Sequence, residues 1–109
     1  MNKEKALSML GLARRAGRLS MGHDMAEKSL ASGKAKLVIF ASDASQRLYN
    51  EFEHFIAKKN INVKVKKPDI TMNEIHFACG YKAGVITVDD MNFATKIISL
   101  LETEENGIN

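Results

Sequence analysis

GLARRAGRLSMGHDMAEKSLASGKAKLVIFASD, residues 11–43, contains a helix end with arginines, a glycine that starts a second helix, a lysine-flanked turn and an apolar run. The run, residues 37–41, is too short for a lone helix and is apolar throughout, so it predicts a central strand covered on both faces. Cations beside a helix start bring positive charge and free backbone N–H groups together. The stretch therefore favours a site for phosphate.

Helical and strand periods alternate along the rest of the chain. Apolar spacing and caps predict helices over residues 3–15, 22–32, 43–59 (capped by Ser42 or Asp43), 71–80 (with a capping box of Thr71 and Glu74) and from 89 or 90 to 101. Further strands are predicted at 61–65 and 85–88. The alternation favours an α/β fold, a single domain built as a three-layer α/β/α sandwich around a mixed sheet of about four strands. The acidic tail, residues 102–109, is expected to fray.

The composition excludes several classes of protein. Hydrophobic residues make up 45% of the chain and charged residues 27%, which is ordinary for a soluble domain. No apolar run approaches the roughly 20 residues of a membrane span, and no signal peptide is recognisable, so we expect a cytoplasmic protein without a membrane partner. Cys79 is the only cysteine and the three histidines are far apart, so we expect no metal site and no cofactor.

Enzyme motifs are also missing from the sequence. Gly17 and Gly22 have the spacing of a P-loop, but His23 and Asp24 follow where Lys and Ser or Thr would be needed. No dinucleotide, zinc-protease or serine-hydrolase motif is present. We therefore expect a protein that is not an enzyme.

Charge is distributed unevenly along the chain. Residues 1–67 carry 14 Lys and Arg against 6 Asp and Glu, a balance of +8, whereas residues 68–109 carry 2 against 7, a balance of −5. A clustered basic face is the electrostatic footprint of nucleic-acid binding. The same numbers also fit a solvated surface with scattered lysines.

Two segments resemble a known family. The run MGHDMAEKSL, residues 21–30, followed by GKAKLVIFASD, residues 33–43, is similar to the core of the kink-turn-binding ribosomal proteins, the superfamily of large-subunit protein seven-Ae. The preceding LGLARRAGRL, residues 10–19, is more like its bacterial YlxQ-type branch, and ACGYKAGVITV, residues 78–88, is similar to the family's second RNA-contacting loop and final strand. The resemblance covers residues 3–101 and implies a non-catalytic protein whose partner is ribosomal or other structured RNA, with ribosomal proteins as further candidate partners.

The resemblance also implies roles for individual residues. In the family, the second helix starts at a glycine and its first-turn side chains enter the RNA groove beside sheared G·A pairs. Gly22 matches that glycine and Lys28 the basic residue that reaches phosphate, but Asp24 stands in place of asparagine, Met25 of glutamate and Glu27 of threonine. Aspartate cannot donate the amide hydrogen bonds of asparagine, and methionine cannot accept as glutamate does. We therefore expect weakened readout of a kink-turn.

The candidate RNA-binding residues come from the end of the first helix, the start of the second, the turn after it and the later loop. They are Arg14, Arg15, Arg18, Gly22, His23, Asp24, Met25, Lys28, Lys34, Lys36, Tyr81 and Lys82. The lysines and arginines neutralise phosphates in this interpretation, and Tyr81 stacks on a splayed base. The alternative is a protein-interaction module of the same fold that has lost kink-turn recognition.

Overall fold

The computed structural model of the protein describes residues 1–103, which form five helices and four strands. In chain order they are α1 Lys3–Arg15, β1 Leu19–Met21, α2 His23–Ala31, β2 Leu37–Phe40, α3 Gln46–Lys58, β3 Lys64–Lys66, α4 Met72–Cys79, β4 Val85–Val88 and α5 Met91–Glu102. Helix α5 includes Glu102, where the predicted tail begins, and the rest of that tail from residue 104 onward lies outside the described residues.

The four strands form one mixed sheet in the order β1-β4-β2-β3. Strand β4 is antiparallel to both β1 and β2, and β2 is parallel to β3. Strand β2 therefore has a partner on each side, and all four of its residues are buried. This confirms the prediction of a central, doubly covered strand, which ends one residue earlier than expected, at Phe40.

Helices cover both faces of the sheet. Alternate β2 residues face opposite ways, so Leu37 and Ile39 join a core with α1, α4 and α5, whereas Val38 and Phe40 join a core with α2 and α3. The aromatic ring of Phe52 from α3 packs edge-on against Phe40, with ring centroids 5.9 Å apart. The three-layer α/β/α architecture expected from the sequence is confirmed.

The caps of two helices differ in how well the sequence predicted them. Helix α4 has the predicted capping box, because the Thr71 hydroxyl accepts from the Glu74 N–H and the Glu74 carboxylate accepts from the Thr71 N–H. Helix α3 begins later than predicted, and its cap is Ser45 rather than Ser42 or Asp43. Asp43 instead accepts a hydrogen bond from the Met72 N–H at 2.9 Å. The carboxylate is used between two elements, which a local pattern does not reveal.

Two strands also depart from the prediction. Strand β3 covers 64–66 rather than 61–65, because Asn60 has a φ of 54° and the Ile61 N–H still bonds back to Ile56 at the end of α3. Pairing with β2 starts only where Leu37 lies opposite Lys64. The three-residue strand β1 was not predicted, although Leu19 and the buried Met21 flank a serine with strand period.

No helix in residues 1–103 is long and apolar enough to cross a membrane.

Candidate RNA-binding site

The start of α2 presents free backbone donors. Gly22 is its N-cap, with φ 89° and ψ 172°, and no side chain caps the helix. The first hydrogen bond within the helix runs from the Ala26 N–H to the Gly22 carbonyl at 2.9 Å. The N–H groups of the first turn are left to point outward, where the positive end of the helix dipole attracts anions.

Tyr81 lies directly over this helix start. A Cβ on Gly22 would be 3.6 Å from Tyr81 Cε2 and 3.7 Å from its hydroxyl oxygen. The two segments are joined by the Gly22 N–H, which donates to the Val85 carbonyl at 2.9 Å, and the loop leaves α4 through Gly80 in the left-handed conformation. The tertiary structure therefore brings the glycine-started helix and the loop of residues 80–84 together.

A small cleft, the β1 cleft, lies beside edge strand β1 and has a volume of about 210 Å³. Its lining residues are Arg14, Leu19, Ser20, Met21, Met25 and Tyr81. Tyr81 is 49% exposed and Met25 is 54% exposed, so each presents an apolar surface to solvent. An aromatic ring beside a guanidinium and free N–H groups can stack on a base and hold its phosphate.

Arg14 reaches the β1 cleft from the last turn of α1. Helix α1 ends beside the end of α4, where Cys79 lies. Burial raises the pKa of the Cys79 thiol, and the nearby positive charge of Arg14 opposes that rise. The same guanidinium is thus close both to Cys79 and to the cleft. Its neighbour Arg15 points instead into a groove between α1 and α4. Lys82 is exposed in the loop after Tyr81.

Three predicted residues of α2 lie outside the β1 cleft. Lys28 lines a shallow groove toward α3 together with Asp24, and Lys59 lines its far side. His23 packs edge-on against Phe52, with ring centroids 5.3 Å apart, and its Nδ1 lies 3.2 Å from Asp24 Oδ1. Met25 is therefore the first-turn side chain of α2 that faces Tyr81.

The remaining basic residues lie at the opposite end of the sheet. The Arg18 carbonyl accepts from the Asp89 N–H, and the Lys36 N–H donates to the Val88 carbonyl, both at 2.8 Å. Lys34 is in the same turn after α2, whose nine residues span about 13 Å. The predicted basic residues are thus dispersed. Arg14 lines the β1 cleft, Arg15 and Lys28 line two other grooves, and Arg18, Lys34 and Lys36 form what we call the distal basic group.

Asp89 supports the site from behind. The sequence did not reveal this role, because Asp89 was interpreted there as a candidate cap of the last helix. Its carboxylate accepts hydrogen bonds from the hydroxyls of Ser20 and Ser29 at 2.6 Å each, and from Thr87 at 2.8 Å. These three donors belong to β1, α2 and β4, so one carboxylate holds α2 against the sheet. The cap of α5 is Asp90, whose side chain accepts from the Phe93 N–H. The signal available in the sequence was the pair of hydroxyl residues at otherwise apolar positions, Ser29 in α2 and Thr87 in β4, both of which are buried.

Comparisons with known proteins agree with this architecture. The model of the ribosomal protein L7Ae/L30e/S12e/Gadd45 family matches residues 4–95. RNA-binding protein YlxQ of Enterococcus faecium is 30% identical over 107 residues, which cover 93% of this chain and 95% of that protein. RNA-binding protein YlxQ of Bacillus subtilis (strain 168) is 35% identical over 96 residues, covering 86% and 92%. A solved structure of a Bacillus halodurans protein of unknown function superposes with a TM-score of 0.78 at 32% identity, covering 91% of this chain and 98% of that one.

Proposed function

Since the chain belongs to the ribosomal protein L7Ae/L30e/S12e/Gadd45 family, we propose that it binds structured RNA without catalysis, through the start of α2 and the loop of residues 80–84. Its RNA is ribosomal or associated with translation. The protein acts in the cytoplasm, and ribosomal proteins are its neighbours there. The observation that carries the proposal is the position of Tyr81 over Gly22, which joins a base-stacking surface to a phosphate-binding helix start.

The chemistry of the β1 cleft supports this assignment. An unpaired base stacks on the exposed face of Tyr81, and its phosphate meets Arg14 and the free N–H groups of the first turn of α2. Glycine at position 22 lets an RNA backbone approach the protein backbone closely. The similarity to two proteins named as RNA-binding, over most of each chain, points the same way.

The distal basic group adds a second, electrostatic contact. Arg18, Lys34 and Lys36 lie about one α2 length from Gly22, a distance that a folded RNA in the β1 cleft can span. Phosphate contacts of this kind position the RNA but carry no sequence information. Recognition therefore depends on the cleft, and much of the affinity depends on charge.

A salt titration tests the proposal. Binding of the protein to bacterial ribosomal RNA should weaken as salt rises, with log K falling by about 0.7–0.9 for each phosphate contact per unit of log salt. Tyr81→Ala should weaken binding at every salt concentration without changing the slope, because stacking releases no counterions. Affinity that is independent of salt, or equal in wild type and Tyr81→Ala, would contradict the proposal.

A second candidate is a protein-interaction module that has lost RNA contacts. The favouring observation is the first turn of α2, where the Asp24 carboxylate is fully exposed and Met25 is half exposed. A carboxylate at a helix start competes with phosphate for the same positive end of the dipole. A protein that binds no structured RNA at low salt, yet binds ribosomal proteins, would establish this alternative.

A further inference from the structure

A groove of about 700 Å³ lies between α1 and α4 and shares no lining residue with the β1 cleft. Its apolar lining includes Leu7, Leu12 and Ala78. Phe77 stands at its side and is 96% exposed, and Leu12 is 46% exposed. A buried phenylalanine contributes a large apolar area, so a fully exposed one beside an apolar groove marks a contact surface. We call this groove, which has Phe77 among its lining residues, the α1–α4 groove.

The two ends of the α1–α4 groove carry opposite charge. Helices α1 and α4 run in the same direction, because Lys3 and Glu74 form an ion pair at 2.9 Å near their starts and Gly11 packs against the Ala78 carbonyl further along. Glu74 is therefore neutralised by Lys3. Within residues 1–103, Glu4 at the acidic end and Arg15 at the basic end have no ion-pair partner. They are separated by about 16 Å along α1.

We propose that the α1–α4 groove binds the same groove of a second copy of this chain, forming a two-fold symmetric dimer. A two-fold axis perpendicular to the groove reverses its direction, so Glu4 of each copy faces Arg15 of the other. Phe77 of each copy enters the apolar lining beside Leu7 and Leu12 of the other. An isologous interface needs a patch that complements itself, and this patch has both a projection and a hollow, and both an acidic and a basic end.

The chemistry of the groove favours a protein over RNA as its occupant. Aliphatic side chains such as Leu7 and Leu12 give no stacking surface to a base, and the Glu4 carboxylate at one end repels phosphate. A central aromatic residue surrounded by apolar contacts and rim charges is typical of protein interfaces. Equal and opposite charges at the two ends select a second copy, because they pair only when one groove is turned around.

Sedimentation equilibrium without RNA tests the dimer, from low micromolar to millimolar protein concentration. Wild type should shift from monomer to dimer over this range. Phe77→Ala should raise the dissociation constant about 30-fold, as truncation of a central aromatic does in other interfaces. The matched control is Met91→Ala, which removes a 58% exposed side chain on α5, outside the groove. Because Phe77 and Met91 are both exposed, neither change should lower the thermal midpoint.

Charge reversal tests the orientation. Glu4→Arg alone and Arg15→Glu alone should each weaken the dimer, because each places like charges opposite one another. The double variant should recover most of the lost affinity, whereas the exposed control Lys5→Glu should change little. A monomer at every concentration, a dimer unaffected by Phe77→Ala, a double variant weaker than both singles, or a groove that binds RNA or an unrelated peptide instead of a second copy would overturn the proposal. Since no RNA is present, failure here leaves RNA binding untouched.

Discussion

Tyr81 packs so closely over Gly22 that a Cβ at position 22 would touch its ring at 3.6 Å. The φ and ψ of Gly22, 89° and 172°, also lie in a region that is essentially restricted to glycine. The backbone conformation therefore requires glycine at position 22, and the Tyr81 ring lies within van der Waals contact of a Cβ placed there. Gly22 is the point where the start of α2 and the later loop depend on each other.

Gly22→Ala should consequently destabilise the protein and weaken RNA binding together. The strained backbone should cost about 1–3 kcal/mol of unfolding free energy, measured by urea denaturation. An alanine Cβ would make only ordinary van der Waals contact with Tyr81, so the strain lies in the backbone at the start of α2. Because that backbone is part of the proposed site, RNA affinity should fall even in fully folded protein. The control is Gly33→Ala, also at positive φ but with no atom within 4 Å of the added Cβ. Gly33→Ala should lower the stability while RNA affinity changes little. Equal losses of affinity in the two variants would show that the backbone at the start of α2 is not part of the RNA-binding site.

Asp89→Ala should be more damaging than Asp90→Ala. Removing the Asp89 carboxylate leaves the hydroxyls of Ser29 and Thr87 buried without their acceptor, at a cost of about 2–4 kcal/mol. Asp90→Ala removes one helix cap, at a cost of about 1 kcal/mol. Urea denaturation of both variants decides it. A reversed order would mean that Asp89 does not hold α2 to the sheet.

Arg14→Ala and Lys34→Ala should differ in their effect on RNA binding. Arg14 lines the β1 cleft, so its loss should lower affinity and reduce the salt slope by about 0.7–0.9, the value of one phosphate contact. Lys34 belongs to the distal basic group and is exposed, so its loss should change affinity less. Titrations at several salt concentrations measure both. An equal effect of the two variants would indicate a diffuse electrostatic surface instead of a cleft-centred site.

Asp24 and Met25 should limit recognition of a kink-turn. The missing contacts are each worth about 1–3 kcal/mol when bidentate, so wild type should bind a standard kink-turn weakly. Asp24→Asn with Met25→Glu should raise affinity for the kink-turn more than for an unstructured RNA of equal length. Lys28→Ala, in comparison, should weaken all structured RNAs about equally. Tight and selective binding by wild type would show that Asp24 and Met25 do not disable the site.

Acid should destabilise the protein partly through Glu74. The Thr71 N–H and then the Lys3 ammonium lower the pKa of the Glu74 carboxyl from its ordinary 4.5. A lowered pKa in the folded state adds stability above the ordinary value, and that stability is lost as the pH falls through the folded value. Glu74→Gln should therefore flatten the dependence of unfolding free energy on pH below 4.5. Lys3→Ala should have an intermediate effect, and an unchanged profile in Glu74→Gln would refute this account.

Much of the fold was predictable because its signals are local. The capping box of Thr71 and Glu74 and the apolar run of β2 are each contained in a few consecutive residues. Both elements were predicted to within one or two positions of where they lie. Strand β1 and the cap of α3 were missed for the opposite reason. A strand of three residues is too short for an alternating pattern to be recognised. Asp43 has the sequence position of a helix cap, and only the packing of α4 beside it shows that its carboxylate binds the Met72 N–H instead.

By itself, the sequence determined the layered α/β/α fold, the glycine start of α2 and the surplus of positive charge, because hydrophobic period, caps and composition act over short stretches of chain. Only the tertiary structure decided which candidate residues share a surface. Sheet order β1-β4-β2-β3 places Tyr81 over Gly22 although 58 residues separate them along the chain, and it sends Lys34 and Lys36 to the opposite end. The physical reason is that strand pairing and helix packing bring distant segments together, and these contacts leave no periodic signal in the sequence.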